Sequence, residues 1–380
     1  MSKARAYQIC NNCVMDTTDS EIIFDKNGIC DYCLNFNKKI KKVYLESKNK
    51  SKILDNYINK IKTENKNKKY NCLIGISGGI DSSYLAHLTK SEFGLRPLAI
   101  HVDTGWNSKE SVSNVEKIIE SLNIDLHTEV INWREMRDLQ LSFFEAQHPN
   151  LDIPQDHAIF ASLYKYAFKH KINYILTGGN YSTECIREPL EWAYHASDVK
   201  HIKDIHKIYG KENLSTFPFC DIFTYKIFYK YFKNINVFQP LNFVKYKKNE
   251  VSNFLESKYS WVSYSHKHYE SRFTKFYEGY WLKKKFNYDK RRVHFSSLIL
   301  TNQMTRDEAL KKLLDDPLSK NEIRNEFKFV AEKLDISNDY LNKLLNDKNK
   351  SFKNYKSNYY IIQFFVKLLR LIGWEKRIIR

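Results

Sequence analysis

Residues 70–88 read YNCLIGISGGIDSSYLAHL. The apolar run 71–76 has the character of a buried strand, and it stops at Ser77, Gly78 and Gly79, where a bulky side chain would block close backbone approach. Ile80, Asp81, Ser82 and Ser83 then lead into helical spacing at Tyr84, Leu85 and Leu88. A strand, a glycine turn and a helix start in succession aim backbone N–H groups at one spot, and the helix dipole adds its pull on an anion. A polyphosphate is the natural occupant. No G-x-x-x-x-G-K-S/T occurs in the chain and the G-x-G-x-x-G pattern is missing here, so neither a Walker lysine nor a dinucleotide fingerprint explains the turn.

Downstream, 96–102 (RPLAIHV) is a second apolar strand ending in Asp103, Thr104, Gly105 and Trp106. A helix over 109–122 and a third strand over 125–130 complete a βαβαβ order, which predicts a doubly wound, mostly parallel sheet with its ligand beyond the carboxyl ends of the strands. Asp103 stands at one such end, with turn formation as its alternative role. A helix over 158–170 precedes a strand at 173–176, which opens into Thr177, Gly178, Gly179 and Asn180. Glycines at a second strand end again let backbone approach a ligand. The insertion 181–237 carries Glu184, His195, Asp198, Lys200, His201 and His206 among many aromatics. Their spacing repeats no zinc motif, yet an insertion at the ligand end of a sheet is where acceptor specificity is built.

A chain of 380 residues should form two or three domains. Its net charge of +18 invites a nucleic-acid reading, but Lys outnumbers Arg 49 to 13, and 12 of the lysines lie in 34–70 against three acids, as on a solvated helix face. Apolar residues there (Ile40, Val43, Ile53, Leu54, Tyr57, Ile58, Ile61) keep helical spacing, which predicts a basic helical connector. The N-terminus lacks an apolar signal core and no 18-residue apolar stretch occurs, so the expected location is cytoplasmic. Cysteines there stay reduced, and Cys10-x2-Cys13 with Cys30-x2-Cys33 then has the spacing of a structural zinc ribbon, an iron–sulfur cluster being the alternative. Thr305 and Glu308 form a capping box for a helix to about Leu314. Arg272, Arg291 and Arg292 are candidates to grip an anionic acceptor, since the guanidinium fork suits phosphate and carboxylate. The last 30 residues, with IIQFFVKLLRLIGW followed by Glu375, Lys376 and Arg377, read as a basic amphipathic helix too short and too charged to span a bilayer.

Ser77-Gly78-Gly79-Ile80-Asp81-Ser82 resembles SGGxDS, the pyrophosphate loop of the ATP pyrophosphatases that split ATP to AMP and pyrophosphate. The resemblance implies that Ser77, Gly78, Gly79, Ser82 and Ser83 hold the leaving pyrophosphate and that Asp81 faces magnesium. It makes His101, Asp103, Thr177, Gly178 and Gly179 candidate nucleotide contacts, and Lys248, in a K-x-E-V element, a phosphate ligand. The four-cysteine ribbon, SGGIDSS, HVDTGW, LTGGN, the KHYESRFTKF to DKRRVHFSSLI block and MTRDEALKKL occur in the order seen in N-acetyl sugar amidotransferases of surface-polysaccharide and flagellar-sugar synthesis. That likeness implies a PP-loop, HUP-like domain over 71–252, a zinc ribbon over 1–36, a linker over 37–70, a helical substrate-binding region over 253–346 and a C-terminal helix over 347–380. It implies that ATP adenylates the acetamido oxygen of a nucleotide-linked N-acetyl sugar and that ammonia replaces it, with Glu184 joining the arginines as an acceptor contact. No glutaminase signature is visible, so the expected partners are a separate glutaminase subunit and a barrel subunit resembling the histidine-pathway pair, with nucleic acid not expected. The rival reading is a tRNA-modifying relative, a thiolase or lysidine synthase, for which Cys185 and Cys220 are candidate thiol carriers. A nonenzymatic ribbon scaffold is a third, opposed by the intact Ser77 and Asp81.

Overall fold

The computed structural model describes residues 5–45 and 47–371. Five strands, β1 (Cys72–Gly75), β2 (Pro97–Asp103), β3 (Asp125–Val130), β4 (Tyr174–Leu176) and β5 (Asn236–Phe238), form one sheet in the order β3-β2-β1-β4-β5. Every pairing is parallel, with Leu73 opposite both Leu98 and Ile175. The period-2 geometry of a strand divides the apolar residues between two layers. Leu73, Leu98, Ile100 and Ile175 face the helices Trp133–Glu145 and Ile153–Lys169. Cys72, Ile74, Ala99 and Leu176 face Lys50–Glu64, Ile80–His87, Lys109–Leu122 and Lys248–Tyr259. A sheet covered on both faces needs strands apolar on both sides, which is why β1 and β2 read as unbroken apolar runs.

The expected α/β architecture is present, and the helix Lys109–Leu122 and strand Asp125–Val130 fall where their patterns put them. The helix expected over 158–170 starts earlier, at Ile153, because Pro154 suits a first turn that needs no N–H bond. Helix Trp133–Glu145, capped by the Asn132 side chain, and β5 were not foreseen from the sequence. The stretch foreseen as a linker contributes to the fold's packing: Leu54, Ile58 and Ile61 of Lys50–Glu64 are buried against the sheet while its lysines face water. The Thr305–Glu308 capping box is formed as its spacing foretold.

The cysteine-bearing segment packs into the body of the protein. Cys10, Cys13, Cys30, Cys33 and Phe36 share a buried cluster with Cys185, Ile186, Trp192 and Val293, so the insertion and the helix Arg291–Leu300 form its floor. At the other end, helix Tyr359–Leu371 is amphipathic, and residues 372–380 of the basic helix foreseen there lie outside the described residues. No helix among the described residues is long and apolar enough to cross a membrane.

Candidate active site

The order β3-β2-β1-β4-β5 makes β1 the strand at which the winding reverses, with β2 on one side and β4 on the other. Loops leaving β1 and β4 diverge there and open a crevice. Gly78, at φ +79, makes the turn after β1, a conformation L residues rarely adopt, and a Cβ there would also strike the Ser111 carbonyl. Trp261 Nε1 and Tyr264 Oη donate to the Gly78 carbonyl oxygen at 2.9 and 3.2 Å. Because the peptide is planar and trans, that anchoring turns the Gly79 N–H the opposite way, toward Ser77 Oγ at 3.3 Å. Helix Ile80–His87 begins without a side-chain cap, leaving its first N–H groups for an anion. Gly178 closes the crevice from β4: a Cβ there would lie 3.0 Å from the Asp81 backbone.

Ser77, Ser82, His101, Thr177 and Gly178 line one cleft of about 520 Å³. His101 donates Nδ1–H to the Ile76 carbonyl at 2.9 Å, so its Nε2 accepts from Asn107 Nδ2 at 3.1 Å. Three other expected contacts stand outside that lining. Ser83 is wholly buried with its hydroxyl unpartnered, turned from the cleft by helix geometry. Asp103 accepts from the Gly105 N–H and from Asn107 and is absent from the cleft lining, so it builds the turn that holds Asn107 against His101. Gly179 packs beside Gln239 and Glu184 rather than in the lining.

Asp81 has an unforeseen neighbour. Its Oδ1 accepts from Tyr246 Oη and from Asn180 Nδ2, while its Oδ2 lies 3.4 Å from Lys267 Nζ. The same ammonium sits 2.5 Å from Glu184 Oε1 and 3.2 Å from Thr183 Oγ1. Burial would strip its proton, but Glu184 and Asp81 hold the Lys267 ammonium above the ordinary lysine value. Asp81 and Glu184 are hard oxygen donors around one point, which suits magnesium. In this structure that point holds Lys267. Lys248 is a cation nearby: burial, then repulsion from Lys267, lowers its pKa.

The far wall of the cleft comes from 268–290. Glu270 Oε1 reaches 3.4 Å from Ser77 Oγ and 3.9 Å from His268 Nδ1. Burial works against a charged imidazole, yet the Glu270 carboxylate beside it raises His268 to about 9, and the same pairing holds Glu270 below its usual range against burial. Lys290 bonds Glu278 at 2.9 Å and Glu188 at 3.1 Å. Burial opposes its charge, and those two carboxylates hold it well above the usual value. The motif block quoted from 267–299 held Lys267, His268, Glu270 and Lys290, which the sequence reading did not single out.

Those arginines are structural. Arg272 is clasped by Glu326 through Nε and Nη2 at 3.1 and 2.8 Å and lies over the Phe329 ring. Arg291 grips Asp289 and donates to the carbonyls of Lys312 and Asp315. Arg292 pairs with Asp16 at 3.0 Å and donates to the Val14 carbonyl, which ties the cysteine segment down. All three are engaged by protein acceptors in this structure, and of them only Arg291 also borders a cavity, the second one described below. Of the two cysteines considered as thiol carriers, Cys185 packs under the cysteine cluster and Cys220 in the main core; both are buried, which raises each thiol to about 12.

Cys10, Cys13, Cys30 and Cys33 are wholly buried with all four Sγ atoms within 4.8 Å of one another. The separations Cys10–Cys33, Cys13–Cys30 and Cys30–Cys33 are 3.8, 3.6 and 3.6 Å. A tetrahedron with metal–sulfur bonds of about 2.3 Å has edges of about 3.8 Å, so a single ion fits, whereas a cubane cluster spreads its thiolates over separate irons. The Cys30 N–H and Asn12 Nδ2 aim at Cys10 and Cys33 sulfurs at 3.2 and 3.3 Å, as thiolates favour.

Two family models match the chain. "NAD synthase" matches residues 48–217, which include the glycine turn and β1 to β4, and "LPS biosynthesis protein WbpG-like, C-terminal domain" matches residues 270–369. An uncharacterized protein of Methanocaldococcus jannaschii is 31% identical over 118 residues, and this match spans 31% of the chain and 40% of that relative. Solved structures similar to this chain include an NH3-dependent NAD synthetase from Campylobacter jejuni in complex with the nitrate ion (18% identity, 75% of this chain and 96% of that one, TM-score 0.33). Another is the U34-tRNA thiolase NcsA from Methanococcus maripaludis with its 4Fe-4S cluster (15% identity, 86% and 89%, TM-score 0.34).

Proposed function

We propose, for this enzyme of the PP-loop ATP pyrophosphatase type, an amidotransfer in which ATP adenylates the acetamido oxygen of a nucleotide-linked N-acetyl sugar and ammonia replaces that oxygen. The observation that carries the reading is where the WbpG-like match falls. Its span, 270–369, supplies Glu270, Ser271, Thr274, Glu278 and Lys290 to the cleft wall opposite the phosphate turn. The segment that resembles an LPS biosynthesis protein thus walls the cleft opposite the glycine turn, which supports the reading.

An amide oxygen is a poor leaving group, and adenylation makes it part of AMP. The oxygen attacks the α-phosphorus and pyrophosphate departs toward Gly79 N–H, Ser82 and the first turn of Ile80–His87. Each charge-assisted hydrogen bond formed there contributes about 1.5–3 kcal/mol. Ammonia then adds to the activated carbon, a proton is lost, and AMP leaves with the former acetamido oxygen, giving the acetamidino group. Glu270, against Ser77 and the cleft, is the candidate to take that proton, with the charged His268 beside it to orient the carboxylate. Magnesium held by Asp81 and Glu184 would neutralise phosphate charge, and Lys267, beside both carboxylates, supplies fixed positive charge there. Zinc is the metal that suits the four thiolates, with a structural role because no coordination position stays open. Ammonia comes from a separate glutaminase and barrel pair, and the enzyme works in the cytoplasm, where ATP and nucleotide sugars are made.

The test is incubation with ATP, magnesium, ammonium and UDP- or CMP-linked acetamido sugars beside bulk tRNA, followed by mass spectrometry. Replacement of one sugar oxygen by NH, with AMP and pyrophosphate released, is expected. Modification of tRNA alone, or release of orthophosphate only, would refute the assignment.

A further inference from the structure

Residues 265–270 form a partition. His268 and Glu270 face the ATP cleft, whereas Ser265, His266, Lys267 and Tyr269 face a second cavity of about 560 Å³ behind it, and Glu278 and Lys290 border both. Cavities of about 300–1,000 Å³ are of small-molecule size, so a ligand and not a polymer fits.

The lining is cationic: Lys247, Lys248, Lys267, Lys290, Arg291 and Lys312 against the acids Glu250, Glu278 and Glu308. Four of the six cations have partners in Glu250, Glu184, Glu278 and Asp289. Lys248 and Lys312 have no ion pair among the described residues, and they border the cavity from two different helices. The helix Lys248–Tyr259 also starts here: the Lys248 N–H donates to Gln303 Oε1 at 2.8 Å, and Asn249 and Glu250 of the same first turn border the cavity. Two ammoniums without an ion pair, a helix start and a volume of small-molecule size suit a compact dianion better than a carboxylate or a neutral sugar.

We propose that this second cavity binds a diphosphate group, separately from the turn at 77–83. The group has two possible sources: pyrophosphate leaving the cleft past Lys267, or the diphosphate bridge of a nucleotide-linked acceptor whose sugar reaches the cleft past Glu278 and Lys290. Calorimetric titration of the full chain with inorganic pyrophosphate and, separately, uridine diphosphate distinguishes them, with α,β-methylene ATP saturating the cleft. Lys312→Ala, on an exposed helix position that tolerates alanine, should weaken at least one probe by about tenfold, the scale of one charge-assisted contact. Lys311→Ala, next to it and outside the lining, should leave binding unchanged. Pyrophosphate binding alone assigns the cavity to the departing product, and uridine diphosphate binding assigns it to the acceptor. Equal affinities in both variants, or no binding of either probe once the analogue fills the cleft, would overturn the proposal. The measurement involves no turnover, so it is independent of which acceptor is adenylated.

Discussion

Lys267 keeps two carboxylates from facing each other bare, since Asp81 and Glu184 both lean on its ammonium. Lys267→Met should lower stability by about 2 kcal/mol in chemical denaturation, less than for a fully enclosed pair because Glu184 is 37% exposed. An unchanged denaturation midpoint would sink that account. Asp81→Asn keeps the size of the side chain but loses a charge beside the phosphates, and AMP formation should drop about 10²–10³-fold with the melting curve little moved. His268 gives a pH signature. Its folded pKa is raised to about 9, above the ordinary value near 6.5, so the contribution of its charged form is complete below about 6.5 and is lost as pH rises through about 9. The alkaline limb of the rate should fall near that pH, and His268→Gln should remove the limb; a limb that persists in the variant would point to another group.

At the level of elements, the crevice depends on how closely the loop after β4 approaches the loop after β1. Gly178→Ala puts a methyl against Asp81 backbone, and ATP affinity should fall about tenfold by filter binding while the fold survives, since overpacking costs about 1–3 kcal/mol. Affinity equal to the parent would mean the loops give way freely. The sheet and its crevice were legible in the sequence because strand, glycine turn and helix are local patterns, and so were Ser77, Ser82, Thr177 and Gly178 at the crevice. Lys267, Glu270 and Lys290 were not, because 190 or so positions separate them from the turn, and nothing local distinguishes a lysine that meets Asp81 from the many that face water. The partners of the arginines were hidden for a related reason: Arg272 finds its carboxylate on Glu326, a pairing visible only once two helices have packed. Asp103 is a milder case, in which either a turn or a ligand contact satisfied the pattern until the Gly105 and Asn107 bonds decided it.

For the whole molecule, the four-cysteine knuckle is bolted to the α/β body. Arg306 donates to the carbonyls of Cys10 and Cys13 at 2.9 and 3.1 Å, and the Val14 N–H meets Ser296 Oγ at 3.1 Å on the helix that begins beside Lys290. Cys10→Ser, or chelation, should therefore release bound metal and lower the melting temperature before any chemical step is touched; full stability without metal would argue against a structural centre. The same wiring has a consequence for biosynthesis. The turn at 77–83 leaves the ribosome early, yet Trp261, Tyr264, Glu270 and Lys290, which fix its peptide and wall its crevice, emerge some two hundred codons later, and the knuckle waits longer still for Ser296 and Arg306. A half-translated chain thus lacks the residues that fix the turn, wall its crevice and seat the knuckle.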